Sequence, residues 1–135
     1  MKYLLDTGIA QDFVNRRNGV LERVDAERHR GSRIGICLPV LGELWSGIEG
    51  STSRDRNAQR LRHALSRPTV WPYTEQAAEL FGRLFAVLRR SGRPMQQIDI
   101  QIGAIALALG NCVVVSSDSD LAAIPGLTVE NWATA

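Results

Sequence analysis

Lysine is almost missing from this chain: Lys2 is the only one, and the other fifteen basic residues are arginines. Cysteine is scarce too. Cys37 and Cys112 are the only two, and neither has a second Cys or a His at the spacing of a zinc ligand set. They sit in the apolar stretches IGICLPV and NCVVVS, where buried thiols in a reducing cytoplasm are expected. No apolar run approaches the roughly 18 residues of a helical membrane span, so no membrane segment is expected. The opening MKYLLD meets Asp6 too early to form the apolar stretch of a secretory signal. A cytoplasmic location is the expectation. No internal repeat or low-complexity segment appears.

What is present suits one ordinary α/β domain over residues 1–135. Hydrophobic residues make up 44% of the chain, enough for a real core and too many for disorder. The formal net charge of +2 does not by itself demand nucleic acid. The arginine bias suits bidentate contact with phosphate, and GC-rich coding produces the same bias.

Strand and helix signals alternate along the chain. Lys2 to Leu5 reads as a strand ending at Asp6, and Ile9 to Arg17 as a helix with Ile9, Phe13 and Val14 on one face. A second helix is expected over Leu21 to Arg30. Ile34 to Leu38 is a buried strand, followed by a helix that Pro39 opens and Gly50 ends. Arg54 to Arg67 is a basic helix stopped by Pro68, and Thr69 to Trp71 a short strand. Thr74 caps a helix that ends at Ser91-Gly92. Ile98 to Leu109 is helical, with Gly110 as its stop. The β-branched run Cys112 to Val115 marks a strand buried on both faces. Asp118 to Ala123 is a helical turn, and Leu127 to Glu130 an edge strand. Alternation of this kind predicts a parallel sheet covered on both sides, with ligands at the carboxyl ends of the strands.

That rule makes the acids informative. Asp6 closes the first strand, Glu43 lies early in the helix after the second, and Asp99 begins the helix after a Gly-Arg-Pro loop. Asp118 and Asp120 follow the buried strand. Asp6, Glu43 and Asp99 have apolar sequence neighbours, and carboxylates are seldom placed in such company unless something neutralises them. A divalent cation would do so, and an all-oxygen donor set selects Mg²⁺ or Mn²⁺. Taken singly, Asp6 also reads as a helix cap, Asp99 as a favourable charge at a helix N-terminus, and Asp118 with Asp120 as a capped turn.

The segments YLLDTG, LPVLGELWSGI, QIDIQIGAIALALG and VVVSSDSDLAAIPGLTVENW, in this order from Tyr3 to Trp132, resemble the PIN domain. Within it they are similar to the VapC-like toxins of type II toxin–antitoxin systems. The resemblance implies a three-layer sandwich, with a central parallel sheet flanked by helices. It also implies a Mg²⁺- or Mn²⁺-dependent endoribonuclease that cuts single-stranded RNA with a metal-activated water. By the motif, Asp6, Glu43 and Asp99 match the first three acids, Asp118 the fourth and Asp120 the acid two residues on. Asp6, Glu43, Asp99 and Asp118 are thus the expected catalytic acids, and these four with Asp120 the expected metal ligands. Ser116 stands for the motif's usual Thr, and Thr7 matches the hydroxyl residue after the first acid. Three departures occur. Gly8 replaces a polar residue, Gly103 a common Ala with little effect expected, and Leu121 a common Phe.

Thr7, Ser116, Arg89, Arg90 and Arg93 are the expected substrate contacts, the arginines because they lie just before Asp99. Arg54, Arg56, Arg60 and Arg62 on one helix are further phosphate candidates, or a solvated face. Trp45, Trp71 and Tyr73 fit core or dimer packing better than stacking on bases. The resemblance also implies a homodimer, a VapB-like antitoxin as partner and higher toxin–antitoxin assemblies. Trp45, Ile48, Phe81, Leu84, Phe85 and Leu88 exceed what one small core needs, and some are expected to line such a face. The competing reading is a catalytically silent PIN-like RNA- or partner-binding module, which lost acids would mark. A phospho-acceptor receiver needs a late lysine that the chain lacks. An aspartate-nucleophile phosphatase wants an acid where Gly8 stands.

Overall fold

The structure is a computed structural model describing residues 1–134. In chain order its elements are β1 (Lys2–Leu5), α1 (Thr7–Asn15), α2 (Val20–His29), β2 (Arg33–Cys37), α3 (Leu38–Glu49) and α4 (Arg54–Ala64). Then come β3 (Thr69–Trp71), α5 (Glu75–Arg90), α6 (Gln97–Leu109), β4 (Cys112–Val115), a 3₁₀ turn (Ser119–Ala123) and β5 (Thr128–Glu130). All strand pairs are parallel, in the order β3-β2-β1-β4-β5. The chain moves outward from β1 to β2 and β3, then crosses back to β4. Right-handed crossovers put the helices that follow β1 and β2 on one face and α5 with α6 on the other. The strand order therefore reverses between β1 and β4. Their carboxyl ends form the switch point where ligands gather in such sheets.

The apolar strands fill the middle layer. Leu4, Leu5, Ile36, Val114 and Val115 are almost completely buried, and α6 adds Ile100, Ile102 and Ile105. Tyr3 packs on Trp132 with ring centroids 4.8 Å apart, which ties the chain after β5 to the central strand. Gly110 ends α6 with φ of 69°, a backbone state that glycine adopts without steric cost.

Local chemistry moves some boundaries. Helix α1 begins at Thr7 rather than Ile9, because Asp6 caps it and accepts from the Ile9 N–H at 2.8 Å. Helix α4 ends at Ala64, short of Arg67. The Ser66 hydroxyl donates to the His63 carbonyl at 2.8 Å, and Pro68 disfavours helical backbone in the residue before it. Cys37 is buried as expected, but Cys112 is only partly so. Burial still pushes both thiols up to about 11. Of the surplus apolar residues, Leu84 and Leu88 are core, whereas Trp45, Ile48, Phe81 and Phe85 pack against it half-buried. Trp71 is core. Trp45 lies under the Arg62 guanidinium, 5.1 Å from the ring centroid.

Candidate active site

Asp6 sits where β1 hands over to α1. Its Oδ1 accepts from the Ile9 N–H at 2.8 Å, and its Oδ2 accepts from the Ser116 hydroxyl. The Asp6 N–H donates to the Val115 carbonyl at 3.0 Å, so β1 and β4 stay in register to their last residues. Ser116 is 2% exposed, and its Oγ also accepts from the Asp118 N–H at 2.9 Å. One buried hydroxyl thus links the first acid to the loop that carries the fourth. Asp118 Oδ1 in turn accepts from the Asp120 N–H at 2.9 Å and caps the 3₁₀ turn.

Glu43 reaches the site differently. Its apolar neighbours Val40 and Leu44 point into the core, which leaves Glu43 itself exposed. The apolar company read from its sequence is therefore not its surroundings. The Thr7 hydroxyl donates to Glu43 Oε1 at 2.5 Å, holding this carboxylate beside the start of α1. Asp99 lies in the first turn of α6, half-buried.

The electrostatics show the acids share one neighbourhood. Burial pushes the Asp99 carboxyl above its ordinary range, and the charges of Asp118, Asp6, Glu43 and Asp120 push it further. Burial also raises Asp6. Its hydrogen bonds from Ser116 and Ile9 oppose that rise, and the charges of Asp118 and Asp12 add to it. Among the described residues, no three Asp, Glu, His or Cys side chains are drawn together into a formed ligand set. Mg²⁺ keeps several waters, so carboxylates can hold it without all touching it. The donors are all oxygen and their charge is barely compensated. Arg93 alone among the described cations approaches, with Nη2 3.8 Å from Asp120 Oδ1. This donor set fits a hard divalent cation.

The hydroxyls and arginines expected to touch substrate are placed unevenly. Thr7 and Ser116 spend their hydroxyls on Glu43 and Asp6, so they position acids, and Ser116 is too buried to meet a substrate. Arg93 is at the site, whereas Arg89 lies 5.9 Å from the Phe85 ring centroid and Arg90 shares a surface with Glu79 and Val87 on α5. On α4, Arg54 pairs with Glu49 and Asp55, and Arg60 donates to Asn15 Oδ1 at 3.2 Å. The Ile9 N–H that holds Asp6 is the contact expected of an Asp at a helix cap.

Ser116→Ala is expected to lower turnover about 10- to 100-fold, the usual cost of losing a group that orients a ligand. Ser116→Thr, which keeps the hydroxyl, should retain activity. Equal activity in the alanine and threonine variants, measured on one substrate, would remove Ser116 from the positioning role.

Comparison with known proteins bears on the family and the fold. A family profile described as the PIN domain matches residues 3–127. Ribonuclease VapC2 of Haemophilus influenzae is 30% identical over 132 residues, covering 98% of both chains. The tRNA(fMet)-specific endonuclease VapC of Salmonella typhimurium is 32% identical over 133 residues, again with 98% of each covered. Among solved structures, VapBC2 from Rickettsia felis, bound to a DNA fragment from its promoter, superposes with a TM-score of 0.90. It is 26% identical and covers 98% of this chain and 99% of that one. DNA-bound VapBC from Salmonella typhimurium gives 0.88 at 31% identity, with 98% of each covered.

Proposed function

Since the chain belongs to the PIN-domain family of VapC-like ribonucleases, we propose that it is the toxin of a toxin–antitoxin pair and cuts RNA at its acid cluster. The observation that carries this reading is geometric: Ser116 joins Asp6 to the loop of Asp118, and Thr7 joins Glu43 to the start of α1. Burial, and then the charges of Asp118, Asp6, Glu43 and Asp120, raise the Asp99 carboxyl beside them. A fold that gathers uncompensated carboxylates at its switch point has a use for a cation there.

Asp6 and Asp99 are the first direct ligands, with Glu43 and Asp118 holding the ion directly or through water. Asp120 is the outer acid, since its carboxylate faces Arg93. When bound, Mg²⁺ or Mn²⁺ supplies Lewis-acid activation of water and charge stabilisation on the phosphodiester. The chain's own residues do the rest. Ser116 and the Ile9 N–H fix the orientation of Asp6, and Thr7 fixes Glu43. Arg93 meets phosphate at the rim, trading Asp120 for the substrate anion. Arg89 and Arg90 lie further along the same helix end and contribute diffuse attraction for RNA, which salt weakens. Single-stranded RNA is the substrate class, cut to a 5′-phosphate and a 3′-hydroxyl.

The partner is a VapB-like antitoxin, a reading supported by the VapBC complexes with the same fold. A homodimer is the expected toxin unit, with the half-buried Trp45, Phe81 and Phe85 as candidate contacts. No helix among the described residues is long and apolar enough to cross a membrane, and the cytoplasm is the proposed compartment.

The test is cleavage of a labelled RNA pool, including initiator transfer RNA, by purified protein with Mg²⁺, Mn²⁺ or EDTA, beside Asp6→Ala. Cutting that EDTA and Asp6→Ala both abolish is expected. A folded, antitoxin-free protein that cuts nothing under any metal would favour the silent binding module.

A further inference from the structure

Helix α5 turns Ala77, Leu84 and Leu88 into the core. Its opposite face is exposed and forms one shallow, open groove of about 660 Å³, lined by Glu79, Gly82, Arg83, Ala86, Val87 and Arg90. Both guanidiniums of this face are unspent. Among the described residues, the arginines in ion pairs are Arg23, Arg30, Arg54 and Arg93. Glu79 stands one turn before Arg83, at the spacing of a helical ion pair, yet it is not paired with it. Arg90 lies in the last turn, where a cation complements the helix carbonyls. Arg83 lies mid-helix and has no such role.

The floor between the two arginines is bare. A Cβ built at Gly82 would meet nothing within 4 Å, and Ala86 adds one methyl group. Val87, 40% exposed, is the one large aliphatic side chain on this face. A protein partner grips through buried apolar and aromatic anchors, which this groove does not offer. A strand of phosphates needs what it does offer, namely guanidiniums for charge-assisted, bidentate contact and a floor without side chains to hold the strand away.

The groove also leads to the acids. Arg83 and Arg90 are two turns apart, about 10 Å by helical rise. Just past the end of α5 the chain turns at Gly92, with φ of 70°, and the Arg93 N–H donates back to the Leu88 carbonyl at 2.9 Å. From there the Arg93 guanidinium reaches Asp120 at 3.8 Å. Arg83, Arg90 and Arg93 thus step along one helix toward the acid cluster. Arg89 sits beside Phe85, off this line.

We infer that the outer face of α5 is a phosphate track, on which Arg83 and Arg90 hold the stretch of RNA that flanks the cut. This rests on the ribonuclease reading above and deepens it, making the attraction at Arg90 an ordered contact and adding Arg83 to it.

The test uses the full-length protein in EDTA and two fluorescein-labelled oligouridylates, of about 4 and about 16 nucleotides, followed by fluorescence anisotropy over a salt series. The parent is expected to bind the long strand at least about tenfold more tightly than the short one. Arg83→Gln/Arg90→Gln should lose most of that gain and bind the short strand within about twofold of the parent. Its plot of log affinity against log salt should be shallower by about 1.4, the slope of two phosphate contacts on a single strand. Arg83→Lys/Arg90→Lys keeps both charges and should keep the slope. Arg17→Gln/Arg33→Gln removes equal charge elsewhere and should leave the length gain within about twofold of the parent's. A parent with no length gain overturns the track, as does a gain that survives in Arg83→Gln/Arg90→Gln. Equal loss in both glutamine pairs also overturns it, reducing the attraction to net charge. Self-association of the parent in sedimentation that Arg83→Gln/Arg90→Gln alone dissolves gives the groove to a second copy and overturns the track too. RNA cleavage with metal is read separately. Protein that cuts RNA but fails the length comparison loses the track alone. Protein that passes the comparison but cuts nothing keeps the track and loses the nuclease.

Discussion

Asp99→Asn protein is expected to cut RNA about a thousandfold more slowly than the parent, the scale of several kcal/mol of lost metal-borne charge stabilisation, while melting at a higher temperature in metal-free buffer. The two effects share one cause. Burial and then the charges of Asp118, Asp6, Glu43 and Asp120 raise the Asp99 carboxyl above its ordinary 3.8. The folded chain therefore holds that proton more tightly than the unfolded chain, and ionising Asp99 works against folding. The penalty is absent below the ordinary value, grows as pH rises through the raised one, and is fully present above it. Metal-free parent should thus lose stability as pH rises through that window. Asp99→Asn cannot ionise at this position and should lose less. Adding Mg²⁺ or Mn²⁺ at neutral pH should raise the parent's melting temperature by mass action, and the variant's by less. Thermal melts from about pH 4 to pH 8, with EDTA and with metal, read all of this. A variant that melts below the parent at every pH, or that still cuts, would take Asp99 out of the crowded acid site.

Gly35→Ala is expected to cost about 3 kcal/mol or more, enough to leave little folded protein in a domain of ordinary stability. Gly35 lies in β2, opposite Leu4 on one side and Thr69 on the other. A Cβ built there would lie 2.3 Å from the Thr69 carbonyl oxygen and 2.8 Å from Trp71 Cζ3. The first obstacle is backbone of the paired strand, and the second is a buried ring. Neither can rotate away, so β3 would have to leave the sheet. Gly103→Ala is the contrast. Its Cβ would lie 2.6 Å from Ile124 Cδ1, the end of a side chain with a torsion to spare, and about 1 kcal/mol is expected. The cost at Gly103 arises because Ile124 is itself buried. Urea melts of the two variants rank them, and a Gly35→Ala protein as stable as Gly103→Ala would show that β3 is free to shift.

Much of this protein is legible from local pattern. The β-branched run Cys112–Val115 is an inner strand, Thr74 is the cap of α5 with its hydroxyl accepting from the Ala77 N–H at 3.1 Å, and Gly110 is the stop of α6. Alternating strand and helix signals imply the parallel sheet, and acids at element ends follow from that alone. These features are local: hydrophobic period, caps and stops report on residues a few positions apart.

Contacts between distant positions were decided by the tertiary structure. That Ser116 turns inward to join Asp6 and Asp118, rather than outward to substrate, follows from β4 landing beside β1. That Glu43 is exposed and tethered by Thr7 depends on where α3 passes the start of α1. That Arg93 meets an acid while Arg89 and Arg90 face elsewhere depends on where α5 ends. Gly35 reads as an ordinary small residue in a strand until β3 lies against it. Side-chain periodicity states which side of its own element a residue faces. Which partner waits on that side is set by the order in which strands and helices assemble, and that order is a property of the whole closed chain.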